Sequence, residues 1–278
     1  MASITDCVVE GLKYPFTNIK KLLGIGVLFA LVSALSTVIG IKSFDIFRMS
    51  IHLVENTNST VSQIPFSQLP AGDIYLVVGL SVISFIVGLF ILGYQFDIVK
   101  FSIDRKADLP GFNDIAGLLV RGIKYLIVAV AYYIIPVIVW TAGIAFAGDS
   151  SVFIIVSLIA GLLFIIAYFL MIMAVNNMVA YGSIKKAFDF REITDNIANL
   201  GWGKYIGIVL FTVIVMMIIS VALGIILSFI TVAFAAVINN QAVIISIVIA
   251  IIEGLFIDSY MTVFFSRVCG SIYRESIK

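Results

Sequence analysis

The sequence predicts an all-α membrane protein: a bundle of six transmembrane helices forming a single membrane domain over residues 1–278. Composition supports this class, because 62% of the residues are hydrophobic and only 12% are charged, against about 45–50% and about 25% in soluble globular domains. The mean hydropathy is +1.18. The apolar residues also form continuous runs, whereas a transmembrane barrel shows alternation.

Six apolar windows are long enough to cross a hydrocarbon core, which takes roughly 20 residues of helix. They are residues 22–41, 74–96, 125–147, 152–175, 205–238 and 242–265. The first is too long and too far from the N-terminus for a secretory signal, so we expect it to be retained. The fifth exceeds one crossing but is too short for two, which predicts one tilted or overhanging helix.

The distribution of positive charge predicts the orientation. Fifteen of the 17 lysines and arginines lie in the N-terminal segment, the second and fourth connections and the C-terminal tail, and the other connections hold only Lys42 and Arg48. The positive-inside rule therefore predicts cytoplasmic N- and C-termini in a cell membrane. Because these cations are dispersed beside the span ends, they suit anchoring at lipid headgroups, and we expect no nucleic-acid partner.

The outer connection at residues 42–73 is the one long connection in this topology. Its first part, IKSFDIFRMSIHLVE, separates apolar from polar residues at helical spacing and predicts a short amphipathic helix in the membrane interface. The remainder is rich in Asn, Ser, Thr and Pro and is typical of an exposed loop. Asn58 begins an Asn-Ser-Thr sequon and is a candidate glycosylation site.

Three similar segments precede the odd-numbered spans: FTNI at 16–19, FNDI at 112–115 and FREI at 190–193. Each lies in a half-polar stretch able to lie along the inner interface. The pattern predicts three pseudo-repeated units, each an interfacial segment followed by a helical hairpin. The short connections after spans three and five also predict that their helices are antiparallel neighbours.

No motif of a known catalytic or metal site is present. The chain has no HExxH, GxSxG or Walker pattern, so we expect no catalytic residue, no cofactor and no enzymatic activity. Cys7 and Cys269 fall on the predicted cytoplasmic side, where thiols stay reduced. Without CxxC spacing and with a single histidine, they predict no metal site.

Glu253 and Asp258 interrupt the last apolar window. At about 1.5 Å of rise per residue, Glu253 lies roughly 18 Å from the start of that span, near the bilayer midplane, where an ionised side chain costs on the order of 3 kcal/mol. Ser246, Ala250, Gly254 and Asp258 recur every four residues and predict close helix contact, which Glu253 should border. Comparable small-residue seams are Gly26, Ala30, Ala34 in span one, Ser84, Gly88 in span two and Ser220, Gly224, Ser228 in span five.

The polar residues inside the spans leave two interpretations open. Glu253 and Asp258 either serve a proton or cation relay or a polar ligand, or they bond to the backbone or a hydroxyl of a neighbouring helix. Asn176 and Asn177, at the inner end of span four, either bond another helix or frame an opening. Asp97 is expected to join an interfacial charge cluster with Lys100.

Three stretches carry a resemblance: LKYPFTNIKKLLGIGVL at the entry, the central GYQFDIVK to AYYIIP region, and KKAFDFREI before span five. Together they resemble an uncharacterised family of six-span membrane proteins found mostly in archaea, especially methanogens, and described only as a domain of unknown function. The resemblance runs from about Glu10 to Arg267, and LPGF and AFDFREI are its most specific parts. It implies a prokaryotic cytoplasmic membrane and brings no known activity, ligand or catalytic residue.

These observations favour a non-enzymatic membrane protein that handles a small solute, an ion or a lipid within its bundle. The alternative is a scaffold or accessory subunit that binds membrane protein partners or anionic lipid headgroups. Transporters commonly show paired helix interruptions, whereas this chain has only Pro136 inside a span. Acids inside a span are costly for a mere spacer.

Overall fold

The computed structural model of the protein describes residues 4–57, 69–147, 151–237 and 241–277, and no strand occurs in these ranges. Asn58, the candidate glycosylation site, lies outside them. The helices are α1 (Ile4–Lys13), α2 (Ile19–Thr57), α3 (Ala71–Ile103), α4 (Ile115–Ala147), α5 (Ser151–Tyr181), α6 (Phe190–Leu200), α7 (Trp202–Val237), α8 (Ala242–Ile252) and α9 (Ser259–Ser276). Short 3₁₀ segments occupy Tyr14–Thr17 and Ile184–Phe188, and a π-helical turn at Glu253–Asp258 joins α8 to α9.

Six helical stretches are long and apolar enough to cross a membrane: Ile19–Val54, Ala71–Ile103, Ile115–Phe146, Ser151–Tyr181, Trp202–Ala235 and Ala242–Ser276. The predicted six-span helical bundle is thereby confirmed, and the chain is a multi-pass membrane protein. The helices run past several of the predicted windows; α4, for example, begins at Ile115 rather than at residue 125. Hydropathy detects only the apolar part of a helix, whereas the backbone hydrogen bonds continue into its polar ends.

The separate amphipathic helix predicted after the first span is wrong. Residues 42–57 continue α2 without a break, which makes a single helix of 39 residues. The sequence from Ile41 to Thr57 contains no glycine or proline, so nothing in it ends the helical backbone.

The three pseudo-repeated segments correspond only in part. Asn18 and Asp114, at equal positions in FTNI and FNDI, each cap the next helix: their side-chain oxygens accept hydrogen bonds from Lys21 N at 3.2 Å and Gly117 N at 2.9 Å. In the third segment the cap is Asp189, before the motif. A short helix precedes span one (α1) and span five (α6), but residues 104–114, which precede span three, form no helix of their own.

The described chain forms two compact units. The first falls within residues 1–22, 92–217 and 261–278, and the second within 23–91 and 218–260. In the first unit, α1, the connection at 104–114, the connection between α5 and α6 and the end of α9 lie together, and we call this end the terminal side. Tyr14, for example, donates a 2.7 Å hydrogen bond to Asp108 O.

The core of the first unit contains three fully buried tyrosines, Tyr94, Tyr205 and Tyr273. Each hydroxyl donates a hydrogen bond, as a buried phenol requires. The acceptors are Pro110 O at 3.0 Å, Phe169 O at 2.5 Å and Asn177 Oδ1 at 2.8 Å, respectively. These bonds fix α3, α7 and α9 to their neighbours while the rings fill apolar space.

Asp97 belongs to a charge cluster, as predicted, but its ionic partner is Arg121 of α4. Arg121 Nε and Nη2 lie 2.8 and 3.0 Å from the two Asp97 oxygens, and Nη1 lies 3.0 Å from Asp114. The backbone N–H of Gly117, followed by Arg121, lowers the pKa of Asp114. A long arginine side chain allowed this contact across 24 positions of sequence, which local spacing does not reveal.

In the second unit, α2 and the π turn meet at backbone distance. A Cβ added at Gly254 would lie 2.7 Å from Ala30 N and from the carbonyl of Phe29, and one added at Gly26 would overlap the carbonyl oxygen of Leu255. The small-residue seam predicted in span six is thus in close helix contact, and the structure shows that the seam of span one is its partner. At Gly88 and Gly224 nothing in the described ranges lies within 4 Å of such a Cβ. The prediction of a close helix contact at these two glycines is therefore wrong.

Candidate functional site

Glu253 and Asp258 are the first and last residues of the π-helical turn in the last span. Single π turns within α-helices are rare and frequently mark functional positions. The turn has a packing contact at Gly254, whose missing side chain admits the backbone of α2. Neighbouring residues on a helix point to different faces. Glu253, the residue before Gly254, therefore points away from α2.

The two acids have different surroundings. Asp258 is half-buried and its Oδ2 accepts a hydrogen bond from Ser33 Oγ of α2 at 3.4 Å. Glu253 is exposed, and its carboxylate has no hydrogen bond or ion pair to any residue of the described ranges. Asp258 therefore contributes a helix contact, whereas Glu253 is an exposed carboxyl, and no hydrogen bond joins the two acids in the described ranges.

Asn176 and Asn177 lie in the first unit and are both fully buried. Asn177 Nδ2 donates to Lys186 O at 2.9 Å, and its Oδ1 accepts from Tyr273. Asn176 Nδ2 donates to Cys269 O at 2.9 Å, whereas its Oδ1 has no partner in the part of the chain that the structure describes. Both amides therefore bond α5 to α9, and one amide oxygen is left over.

An apolar groove of about 220 Å³ lies between α4 and α5. Its walls include Tyr132 and Pro136 of α4 and Leu163 and Ala167 of α5, and the segment after α5 adds Phe188 and Phe190. Pro136 has no N–H to donate to the carbonyl of Tyr132, four residues earlier. The sequence did not reveal this groove, because apolar residues that line a groove and apolar residues that face lipid look alike.

The two phenylalanines are held in place by short-range contacts. The Tyr132 hydroxyl donates to Ala187 O at 2.6 Å, and its ring lies 6.1 Å from Phe188 and 6.0 Å from Phe190, between centroids. This network ties the segment between α5 and α6 to α4. The aromatic residues of AYYIIP and AFDF are the sequence signal from which this contact could have been inferred.

The same segment is fixed by charge. Lys186 Nζ lies 2.5 Å from Glu192 and 3.1 Å from Asp189, and it sits 4.8 Å above the ring of Tyr181. Hydrogen bonds to Glu192 and then Asp189 raise the pKa of Lys186, and the bond from Lys186 lowers the pKa of Asp189. Lys186 is therefore neutralised locally.

A second apolar hollow, of about 410 Å³, lies farther along the same two helices. Its walls include Ile138, Ala142 and Phe146 of α4 and Val152 and Val156 of α5. On α4, the lining positions of both hollows recur as 131, 135, 138, 142 and 146, which is the three-to-four spacing of a single helix face. On α5 they recur as 152, 156, 163, 167 and 170. The two hollows therefore follow one side of the α4–α5 pair.

Comparison with known proteins gives similar chains of unknown role. The chain is 28% identical over 294 residues to Uncharacterized protein MJ0233 of Methanocaldococcus jannaschii, covering 99% of this chain and 98% of that protein. It is 25% identical over 293 residues to Uncharacterized protein MJ1189 of the same organism, covering 95% and 94%. No solved structure matches the chain.

A protein family also matches residues 76–229, and these residues run from α3 to α7 and include both hollows. The predicted resemblance to an uncharacterised archaeal family is confirmed by this match together with the two methanogen proteins. Because the match covers more than half of the chain, the protein belongs to the family described as Protein of unknown function (DUF4013).

Proposed function

We propose that the protein is a non-enzymatic membrane protein that holds a lipid, with one hydrocarbon chain in the groove between α4 and α5. The observation that carries the proposal is this groove, whose walls are aliphatic and aromatic and contain no charged side chain among the described residues. An ion or a polar solute entering it would lose its water without gaining hydrogen bonds. A hydrocarbon chain forms no hydrogen bonds with water, so it would lose none on entering the groove.

The location of the groove supports a lipid as its occupant. The α4 and α5 walls of the groove belong to stretches long and apolar enough to cross a membrane, Ile115–Phe146 and Ser151–Tyr181. Lipid chains are the apolar molecules that surround such helices in any bilayer. From residue 131 to residue 146 the aligned hollows extend roughly 22 Å at the rise of an α-helix, which exceeds the roughly 15 Å of one leaflet's hydrocarbon.

A matched pair of substitutions tests the proposal. Ala131→Phe places a ring in the groove, and Ala145→Phe makes the same change at an exposed position of α4 that lines neither hollow. We expect native mass spectrometry of the detergent-purified protein to show retained lipid for the unaltered chain and for Ala145→Phe, and a several-fold loss for Ala131→Phe. A lipid carrying a photoreactive group in its chain should label the α4–α5 hairpin.

Equal lipid retention in the two variants would contradict the proposal, because displacement from the groove is its central consequence. Labelling spread evenly over the exposed faces of all six spans would do the same, since it is the pattern of ordinary surrounding lipid. Thermal unfolding of both variants shows whether each is folded.

We also propose that the terminal side lies in the cytoplasm. The support is the concentration of lysine and arginine in the segments of that side. A reporter that is active only in the cytoplasm, fused after Lys278, should be active, and the same reporter inserted in the connection at 58–68 should be inactive. The reverse pattern would refute this orientation.

A scaffold role is the second candidate, and Glu253 is the observation that favours it. An exposed carboxyl within a span is costly in lipid, and a helix of a partner protein could give it a hydrogen-bond donor. A photo-crosslinking residue at position 253 should then form protein adducts in native membranes, while one at Val243, an exposed position on the same span, should not. Equal labelling at both positions would argue against a partner at Glu253.

A further inference from the structure

A small cavity of about 20 Å³ lies beside Asn176 in the first unit. Its walls come from four helices: Val99 of α3, Tyr125 of α4, Asn176 of α5, and Ser266 and Cys269 of α9. Three of these residues carry side-chain oxygens, which distinguishes this cavity from the two apolar hollows along α4 and α5.

The amide oxygen of Asn176 is the unusual atom. Asn176 is fully buried, its Nδ2 is already engaged with Cys269 O, and its Oδ1 has no partner within the described ranges. A carbonyl oxygen removed from water normally keeps a hydrogen bond in a native structure, either to protein or to an ordered water. The described residues supply no donor, although Asn176 lines a cavity.

The cavity has the size and the polar groups for one water molecule. A water requires roughly 10–15 Å³ of accessible space and two to four polar partners, and about 20 Å³ is present. Besides Asn176 Oδ1, the hydroxyls of Tyr125 and Ser266 belong to lining residues, and neither hydroxyl bonds to a described residue. No carboxylate of the described chain lines the cavity, so a metal cation would find no compensating charge there.

We propose that this cavity is a hydration site that holds one water, which donates a hydrogen bond to Asn176 Oδ1 and bonds to the hydroxyls of Tyr125 and Ser266. The water joins α4, α5 and α9. Within the described chain, Tyr125 and Ser266 form no direct hydrogen bond with each other. It satisfies the amide oxygen left over when Asn176 bonds to Cys269 O. The site is independent of lipid binding in the groove.

A double-mutant cycle on Tyr125→Phe and Ser266→Ala tests the site with mild substitutions. If one water bonds both hydroxyls, each single variant lowers the unfolding temperature by about 2–4 °C, and the double variant loses less than the sum of the two single losses. The matched control is Tyr132→Phe combined with Ser266→Ala. Tyr132 is on the same helix but donates to Ala187 O, so its loss should add to that of Ser266→Ala.

An additive cycle for Tyr125 and Ser266 would overturn the proposal. A direct test is an experimental structure at a resolution that shows ordered water. We expect density about 2.7–3.2 Å from Asn176 Oδ1, the range of a hydrogen bond. An empty cavity, or a side chain rotated to give Asn176 Oδ1 a protein donor, would equally refute the site.

Discussion

Arg267 and Glu10 are 257 positions apart in the sequence, yet Arg267 Nη2 lies 2.7 Å from Glu10 Oε1. Arg274 Nη2 lies 2.7 Å from the other oxygen of the same carboxylate. Arg267 also donates to Lys106 O at 2.8 Å and lies 4.1 Å above the ring of Tyr14. One carboxylate of α1 therefore fastens the N-terminal helix to α9 on the terminal side.

Glu10→Gln should destabilise the first unit. The Arg267 side chain is only 6% exposed, so Glu10→Gln leaves a buried guanidinium without its countercharge, although the glutamine amide oxygen can still accept a hydrogen bond. We expect a loss on the order of 2 kcal/mol in the free energy of unfolding, typical of hydrogen bonds to charged groups. Asp195→Asn, at an exposed position of α6, is the control and should change little. The two unfolding temperatures, measured in the same detergent, check this prediction.

The pH dependence of stability should also report on Glu10. Burial by itself raises the pKa of Glu10, but the hydrogen bonds and positive charges of Arg274 and Arg267 together lower it by more than burial raises it. The folded-state pKa therefore lies below the ordinary 4.5. A lowered carboxyl pKa stabilises the fold above the unfolded-state value, and that contribution is lost as pH falls through the folded-state pKa.

The unaltered protein should therefore lose stability faster than Glu10→Gln when the pH falls below 4.5. Asp108, whose pKa Lys21 lowers by a hydrogen bond, contributes in both proteins, so the difference between the two curves isolates Glu10. Parallel curves from neutral pH down through this window would show that the ion pair adds no stability.

Gly254→Ala should be far more damaging than Gly88→Ala. A Cβ at Gly254 would lie 2.7 Å from backbone atoms of Phe29 and Ala30, which cannot move aside as a side chain can, whereas Gly88 has open space. We expect Gly254→Ala to cost about 1–3 kcal/mol, as overpacking does. Gly88→Ala should be neutral or up to about 1 kcal/mol stabilising, from helix propensity. Thermal unfolding of the two variants decides; similar losses would mean that α2 does not contact the π turn so closely.

Glu253→Leu and Asp258→Leu should have different effects in the isolated protein. Glu253 is exposed and has no partner within the described chain, while Asp258 accepts a bond from Ser33. Leucine at 253 removes an acid from a span, which saves on the order of 3 kcal/mol on insertion scales, and should leave the unfolding temperature unchanged or higher. Leucine at 258 should lower it. A loss at 253 equal to that at 258 would contradict the outward placement of Glu253.

The candidate polar site could be predicted from the sequence only where the residue spacing within a single helix carries the information. The four-residue spacing of Gly254 and Asp258 indicated a helix contact, and α2 supplies it. The π turn at 253–258 was not predictable, since no residue type specifies it and it depends on how α2 packs. Likewise nothing local distinguished Asn177, with both amide atoms bonded, from Asn176, with one left over.

The sequence by itself determined the class and the six spans, because hydrocarbon accepts a backbone only when its hydrogen bonds close within the helix. It also marked Gly254 as a position of close helix contact, because small residues let two helices approach closely. Residue chemistry and spacing suffice for that. Tertiary structure alone decided that Arg267 meets Glu10, that Asp97 pairs with Arg121, that α2 is the partner of Gly254, and that a groove opens between α4 and α5. Those features depend on which helix faces meet, and the apolar surfaces of this chain are too alike in sequence to specify the pairing.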